Sequence, residues 1–234
     1  SILGFAVSKF FFSGLSSFSE LRGTSLFYPY VSSGLGNGAL VELRDGSVKY
    51  DFISGIGAHF GHGHPQLVES SLKAAVQDTI MQGNLQQSKS SYDMITRLTS
   101  LSGLDHAYLT SSGAMAAENA LKLAFHSRQP ATRVLAFEHC FMGRTMTLAH
   151  ITDKPSYRDG LPQTIQCHYV PFYDETDHTG SIQRAVKVLS DHLATYPNEF
   201  AVMCMELIQG ENGYFVAIFF FNRFCNHSYN WLWV

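Results

Sequence analysis

The sequence has few charged residues, and it lacks long apolar runs. Charged residues make up 15% of the 234 positions, whereas an average soluble protein has roughly 25%. The net charge is -3, so the basic surface of a nucleic-acid-binding protein is missing. No apolar run reaches the roughly 18 residues of a membrane-spanning helix. We therefore expect neither nucleic acid nor membrane as a partner. The low charge indicates a subunit with a large buried interface or a part of a larger fold.

Cysteine pairs at short spacing are also missing. The four cysteines are separated by long, irregular gaps and form no C-x-x-C pair; they are Cys140, Cys167, Cys204 and Cys225. This spacing does not indicate a disulfide framework, so we expect reduced thiols, mostly in the core, in a cytoplasmic protein. The first fifteen residues are apolar with Lys9 in their middle. Because a secretory signal peptide carries its charge at the start, we do not expect one here.

The first third of the chain predicts a hairpin followed by helices. Residues 40–43 and 48–52 alternate apolar and polar side chains around Asp45-Gly46, a dipeptide that is typical of tight hairpin turns. Pro65 begins a predicted helix, whose apolar residues recur at helical spacing: Val68, Leu72, Ala75 and Val76. A second helix is predicted at residues 90–101. We assign residues 20–80 to an N-terminal arm with the hairpin and leave residues 1–19 unassigned.

Strands and helices alternate in the rest of the chain. Strands are predicted at residues 106–110, 133–137, 167–171, 201–207 and 229–234. A helix is predicted to end near Pro130, and a second contains Ile182, Ala185, Val186 and Leu189. This alternation is typical of an α/β fold with a mostly parallel sheet. A parallel strand at a chain end is normally followed by a helix that covers the sheet, so we expect residues 81–234 to be part of a larger, truncated domain.

The turn after the first of these strands is a candidate phosphate site. Its residues are Ser112, Gly113 and Ala114, and they lead directly into a predicted helix. Free backbone N–H groups at the positive end of a helix bind phosphate readily. A serine at this position is also a common N-cap of a helix that binds nothing. Taken alone, the segment leaves both interpretations open.

Two further segments follow predicted strands, where ligands bind in open α/β sheets. The first, residues 139–145, contains Phe141, which either stacks on a flat ring or belongs to the core. The second, residues 206–211, contains Glu206, Gln209 and Glu211. Two acids and an amide in six residues need partners or water, so this segment is either a site or a polar loop.

Together these segments resemble the class III pyridoxal-phosphate-dependent aminotransferases, the family of acetylornithine, ornithine and 4-aminobutyrate aminotransferases. Residues 112–122 are similar to the phosphate-cup motif, and residues 141–145, Phe-x-Gly-Arg-Thr, to the ring-stacking motif. Residues 206–213, Glu-x-Ile-Gln-Gly-Glu-x-Gly, resemble the E-P-x-Q-G-E-x-G motif. Residues 61–65, Gly-His-x-His-Pro, resemble the N-terminal signature. The four motifs stand in family order, and the resemblance covers about residues 20–217.

The resemblance implies the fold-type-I large domain, the cofactor pyridoxal 5'-phosphate and a homodimer. It also implies transfer of an amino group from an amino-acid or ω-amino donor to a 2-oxo acid. Ser112, Gly113 and Ala114 would hold the cofactor phosphate. Phe141 would stack on the pyridine ring, and Glu206 would lie close to the cofactor. Glu211 would pair with a substrate-binding arginine that lies beyond residue 234.

The sequence departs from the family pattern at three places. Met115 stands where many members have glutamate, and Leu207 replaces the usual proline. The family's Schiff-base lysine and the aspartate of the ring nitrogen come further along than Val234. All seven lysines precede Glu211: Lys9, Lys49, Lys73, Lys89, Lys122, Lys154 and Lys187. The chain is therefore expected to be an inactive N-terminal fragment without the catalytic lysine.

Three other interpretations fit parts of the sequence. A zinc site could use His59, His62 and His64, but no acid or thiol lies nearby in sequence, so we expect no metal. A dinucleotide site could use the glycines of residues 34–38, but a predicted strand follows them where the phosphate cradle requires a helix. The main alternative is a non-catalytic remnant that binds pyridoxal phosphate or a partner subunit.

Overall fold

The structure is a computed structural model that describes residues 18–25, 30–53, 60–77 and 85–217. The chain divides into two compact units, Ser1–Ser88 and Lys89–Val234. The first unit contains an antiparallel sheet and one long helix, whereas the second contains a parallel sheet flanked by helices. The finer division at residues 20 and 81 stays a prediction.

The sheet of the first unit has the order β1-β2-β3 and is antiparallel throughout. Its strands are β1 (Ser32–Asn37), β2 (Leu40–Leu43) and β3 (Val48–Tyr50). Gly46 adopts a φ of 79° in the turn between β2 and β3, and the Asp45 carboxylate accepts a hydrogen bond from the Ser47 N–H at 2.9 Å. The predicted hairpin is confirmed, although its second strand ends at Tyr50 and the glycine-rich β1 was not predicted.

Helix α1 (Pro65–Ala75) begins at the predicted proline. Its apolar face is exposed, since Leu72 is 66% and Val76 is 87% exposed. Among the residues that are described in this unit, Leu43 is the one buried apolar side chain. The first unit therefore has almost no apolar core within its described part.

The second unit alternates helices and strands, as the sequence predicts. Its elements are α2 (Lys89–Ser102), α3 (Gly113–Ser127), β4 (Arg133–Phe137), α4 (Leu148–Ile151), β5 (Gln166–Val170), α5 (His178–Thr195), β6 (Phe200–Met203), β7 (Ile208–Gln209) and β8 (Phe215–Val216). The sheet has the order β5-β4-β6, and β4 is parallel to both neighbours. A short antiparallel ribbon, β7-β8, follows β6 and was not predicted.

The predicted strand at residues 106–110 is wrong. The structure assigns no strand there, and Tyr108 is 63% exposed. A strand exists only where a neighbouring strand completes its hydrogen-bond ladder, and the described sheet provides no partner for this segment. The strand that was predicted at residues 229–234 lies outside the described residues.

The parallel sheet separates two apolar clusters, because alternate β4 side chains point to opposite faces. Val134 and Ala136 pack with α3 residues such as Leu121 in one cluster. Leu135 and Phe137 pack with α5 residues in the other. These four of the five β4 side chains are at most 1% exposed. This three-layer packing holds the carboxyl ends of β4 and β6, from which the candidate site loops leave.

The described cysteines are free thiols. Cys140 and Cys204 are buried and Cys167 is half-buried, while Cys225 lies outside the described residues. Burial raises the pKa of Cys140 to about 12, so this thiol stays protonated at neutral pH. Among the helices that the structure describes, none combines the length and apolar character needed to cross a membrane.

Candidate functional site

The N-terminus of α3 presents free N–H groups at an open surface. Ser112 has extended backbone angles (φ -163°, ψ 162°), and its hydroxyl oxygen accepts a hydrogen bond from the Met115 N–H at 3.2 Å. The N–H groups of Gly113 and Ala114 have no hydrogen-bond partner in the described part of the chain. A Cβ added at Gly113 would meet no atom within 4 Å. This arrangement fits an anion at the helix start.

The loop between β4 and α4, residues 138–147, carries the predicted ring-stacking residue and is called the ring loop below. The Phe141 N–H donates a hydrogen bond to Glu206 Oε2 at 2.9 Å. The half-buried Phe141 ring meets Tyr157 edge to face, with 6.2 Å between the ring centroids and 79° between the ring planes. Phe141 is thus anchored through its backbone to the loop that follows β6.

The ring loop lies directly against the start of α3. A Cβ placed on Gly143 would stand 3.7 Å from Ala114 Cβ and 2.8 Å from Leu148 Cδ1. Gly143 has a φ of 134°, which side-chain-bearing residues rarely adopt. A second link joins the same two elements, since the Thr145 hydroxyl donates to the Glu118 carboxylate on α3. The phosphate-cup and ring-stacking segments, which are about thirty residues apart in sequence, are therefore adjacent.

Glu206 lies just beyond the end of β6 and is half-buried. Burial raises the pKa of its carboxyl group, and the charge of Glu211 raises it further. Hydrogen bonds from the N–H groups of Phe141 and Gly210 act in the opposite direction. The carboxyl group therefore holds its proton to a higher pH than an exposed glutamate would.

Gln209 is a structural residue of the site for which the sequence indicated no role. Its side chain is fully buried, its amide donates to the Glu138 carbonyl at 2.8 Å, and its side-chain oxygen accepts from Asn212 at 3.0 Å. Gln209 thereby ties the β7-β8 ribbon to the carboxyl end of β4. Glu211 lies on the exposed turn of that ribbon. The sequence signals at this position were an amide in a polar segment and the glutamine of the family motif at residues 206–213.

Sequence reasoning also missed Thr152 and Tyr157. Both follow α4, yet Thr152 hydrogen-bonds to the ring loop and Tyr157 contacts the Phe141 ring. Neither residue belongs to a recognisable motif. Their contacts with the ring loop arise because the chain turns back after α4. Local sequence patterns do not indicate this reversal of the chain direction.

The histidine and glycine segments of the first unit form structural contacts. His62 Nε2 lies 2.7 Å from the Asp51 carboxylate, and a Cβ added at Gly36 would meet His62 Cβ at 2.7 Å. His59 lies outside the described residues, and those that are described contain no group of three or more side chains that could hold a metal ion. Residues 34–37 lie in β1, and β2 follows them, so no helix N-terminus stands after this glycine run.

Comparisons with known proteins agree on one family. Its sequence profile, described as aminotransferase class-III, matches residues 28–225. The acetylornithine aminotransferase of Methanocaldococcus jannaschii is 35% identical over 192 residues, which cover 78% of this chain and 44% of that protein. In general, the chain spans less than half the length of the curated relatives that it matches.

Solved structures show the same fold. The ornithine aminotransferase from Toxoplasma gondii has a TM-score of 0.68 and 23% identity, and the match covers 85% of this chain and 46% of that one. The taurine:2-oxoglutarate aminotransferase from Bifidobacterium kashiwanohense, solved with pyridoxal phosphate and glutamate, has a TM-score of 0.73 and 17% identity over 83% of this chain and 46% of that one. The predicted α/β fold of the fold-type-I transferases is confirmed.

Proposed function

Because this chain belongs to the class-III aminotransferase family, we propose that it supplies the phosphate-binding and ring-contacting part of a pyridoxal-phosphate-dependent aminotransferase. The complete enzyme moves an amino group from an amino-acid or ω-amino donor to a 2-oxo acid. The observation that carries this proposal is the position of the ring loop against the start of α3, where Gly143 lies beside Ala114.

The residues at the start of α3 fit a phosphate group. Gly113 and Ala114 offer two free N–H groups, and the space above Gly113 is open. The Ser112 oxygen accepts from the Met115 N–H, which leaves its own proton to donate to an anion. The positive end of the α3 dipole favours negative charge at this place. In this proposal, Ser112, Gly113 and Ala114 hold the cofactor phosphate.

Phe141 and Glu206 act together beside the cofactor ring. The Phe141 side chain contacts the ring, while Glu206 holds the Phe141 N–H and so fixes the backbone from which that side chain extends. Bound pyridoxal phosphate supplies an electron sink for the chemistry of the amino group. The half-buried Glu206 carboxyl, whose pKa is raised by burial, is placed to hold or release a proton near that ring.

Glu211 is proposed to bind an arginine that receives the substrate carboxylate. Its exposed position on the β7-β8 turn supports a role in which the carboxylate changes partners when substrate arrives. Gln209, which anchors the ribbon on β4, keeps this turn beside the carboxyl end of the sheet.

The polypeptide of residues 1–234 alone is proposed to have no transaminase turnover. The lysines of this sequence all precede Glu211, whereas the family places the lysine that binds the cofactor covalently after that motif. The proposal extends to a cytoplasmic homodimer for the complete enzyme. The competing function is that of a non-catalytic protein that only binds the cofactor or a partner subunit.

The test is reductive trapping of the purified chain with pyridoxal phosphate and borohydride, read by intact mass and peptide mapping, together with a turnover assay. We expect reversible cofactor binding, no single stoichiometric lysine adduct and no turnover. A stoichiometric adduct on one lysine with measurable turnover would overturn the proposed inactivity. Failure to bind pyridoxal phosphate at all would overturn the proposed cofactor site.

A further inference from the structure

The hydroxyl group of Thr152 makes every hydrogen bond of which a hydroxyl is capable, and all of them go to the ring loop. It donates to the Gly143 carbonyl at 2.9 Å. It accepts from the Met142 N–H at 3.0 Å and from the Gly143 N–H at 3.2 Å. Thr152 is 1% exposed, so water cannot replace these bonds in the folded chain.

The Thr152 side chain is itself held in place. Its N–H donates to the Leu148 carbonyl at 2.8 Å, as the last hydrogen bond of α4. Its carbonyl accepts from Arg158 Nη1 at 2.8 Å. Leu148, one turn earlier in α4, is fully buried in the apolar cluster that contains α3 residues. The hydroxyl therefore stands on a backbone that is fixed on both sides.

The ring loop needs such support because it belongs to no helix or strand. Gly143 adopts a φ of 134°, which glycine reaches without strain, but a glycine backbone also has many other accessible conformations, so contacts are needed to select this one. Phe141 is held by Glu206 before this point, and Thr145 is held by Glu118 after it. Between these two anchors, the Thr152 hydroxyl binds the loop at Met142 and Gly143.

We propose that Thr152 is a positioning residue that sets the conformation of the ring loop, and thereby the place of Phe141, for a bound cofactor ring. This inference rests on the proposed function, because the position of Phe141 affects cofactor binding only if the cofactor ring lies beside it. Thr152 has no hydrogen bond to α3. Its removal should therefore act first on contact with the ring, and less on the phosphate site at Gly113 and Ala114, which it can reach only through the packing of Gly143 against Ala114.

The experiment compares purified chains that carry Thr152→Val and Thr152→Ser. Valine keeps the shape and removes the hydroxyl, whereas serine keeps the hydroxyl. Thr195→Val is the matched control, because Thr195 is exposed at the end of α5 and bonds only within its own helix. If the valine variant does not fold, Thr152→Ala takes its place. The readouts are amide hydrogen exchange of residues 141–146 and the affinities for pyridoxal phosphate and for inorganic phosphate.

In the valine variant, we expect exchange of residues 141–146 to accelerate by at least about tenfold without ligand. The dissociation constant for pyridoxal phosphate should rise by about tenfold, while that for inorganic phosphate changes by less than about twofold. The serine variant and Thr195→Val should both behave like the original chain. Rescue by serine shows that the hydroxyl matters, as distinct from the bulk of the side chain.

Two results would overturn the positioning role. Unchanged exchange in the valine variant would show that the hydroxyl does not hold the loop. An equal loss of affinity for pyridoxal phosphate and inorganic phosphate would show a general structural role. Binding of neither ligand by the original chain is a separate outcome, which refutes the proposed function. Even then, the exchange data alone decide whether Thr152 fixes the loop, and unchanged exchange would still overturn the inference.

Discussion

The two units of the chain are stabilised by different kinds of contact. In the second unit, β4 lies between two apolar clusters, and its central side chains are almost completely buried. In the described part of the first unit, Leu43 alone among apolar side chains is buried, while Phe52 is 93% exposed. The candidate site stands on the unit that has its own core.

Within its described residues, the first unit is held by close backbone approaches and has little apolar packing. A Cβ on Gly61 would meet Gly38 backbone atoms at 2.9 Å, and one on Gly63 would meet the Gly36 carbonyl at 2.7 Å. Gly38 and His62 exchange backbone hydrogen bonds of 2.9 Å. Such contacts define the local shape of a unit without removing much apolar surface from water. The comparison indicates that the described residues of the second unit contribute more intrinsic stability than those of the first.

The largest expected effect is that of removing core volume from the sheet. Leu135→Ala should lower the free energy of unfolding by about 3 kcal/mol, because Leu135 is fully buried and a cavity remains. Leu72→Ala on the exposed face of α1 should change it by less than about 0.5 kcal/mol. Denaturant unfolding of both variants, followed by circular dichroism, checks the difference. Equal losses would mean that the first unit has a core of similar value.

A smaller effect is expected at the helix starts. Ser112→Ala should lower stability by about 1 kcal/mol, because the side chain accepts the Met115 N–H and a serine cap contributes about that much. His64 at the start of α1 makes no side-chain capping bond, so His64→Ala loses no such contribution. Thermal unfolding of the two variants tests the contrast. A larger loss from His64→Ala would contradict it.

The third effect depends on pH. Burial lowers the pKa of His168, and the positive charges of His192 and Arg133 lower it further, against the opposing charge of Glu199. The unfolded histidine has a pKa of about 6.5, so the unfolded chain binds the proton first as the pH falls. The stability from neutral His168, which accepts from Arg133 Nη1 at 2.9 Å, is complete above that pH and is lost below it.

Melting temperatures measured from pH 8 to pH 5 test whether stability falls with decreasing pH as predicted. The original chain should lose stability below about pH 6.5 more steeply than His168→Gln, which has no titrating group at this position. Parallel curves for the two chains would show that His168 does not carry the dependence.

The smallest effects are expected from surface ion pairs, and they should be similarly small in the two units. Lys73–Glu69 on α1 and Lys187–Asp191 on α5 are exposed pairs of the same spacing, at 2.5 Å and 2.7 Å. Lys73→Ala and Lys187→Ala should each cost less than about 0.5 kcal/mol. Unfolding at low and high salt measures this. A clear difference between the pairs would mean that surface charge also distinguishes the units.

The sequence predicted those elements whose signal is local. Strands β4 and β6 are apolar runs and β5 is a mixed segment, and the structure places all three within one residue of their predicted starts, although β6 ends at Met203, before the predicted residue 207. Residues 106–110 were also predicted as a strand, but strand formation needs a neighbouring strand, and the described sheets provide none for this segment. The ribbon strands β7 and β8 have two residues each, too few for any periodicity to appear.

Prediction of the candidate site from the sequence was limited in the same way. Ser112 and Phe141 could be named because each belongs to a motif, and their roles stay proposals. The contacts that join the motifs link residues far apart in sequence, such as Glu118 with Thr145 and Glu206 with Phe141. Such contacts form only in the folded chain, where the parallel sheet brings the carboxyl ends of its strands together, so local sequence patterns do not predict them.

The central claim is that the start of α3 binds the phosphate of pyridoxal phosphate. Amide chemical shifts of Gly113 and Ala114 in the purified chain, recorded during titration with pyridoxal phosphate and in parallel with pyridoxal, test it directly. The account predicts that both amides shift with pyridoxal phosphate, that inorganic phosphate competes, and that pyridoxal leaves them unchanged. Unmoved Gly113 and Ala114 amides, or equal shifts with pyridoxal, would contradict it.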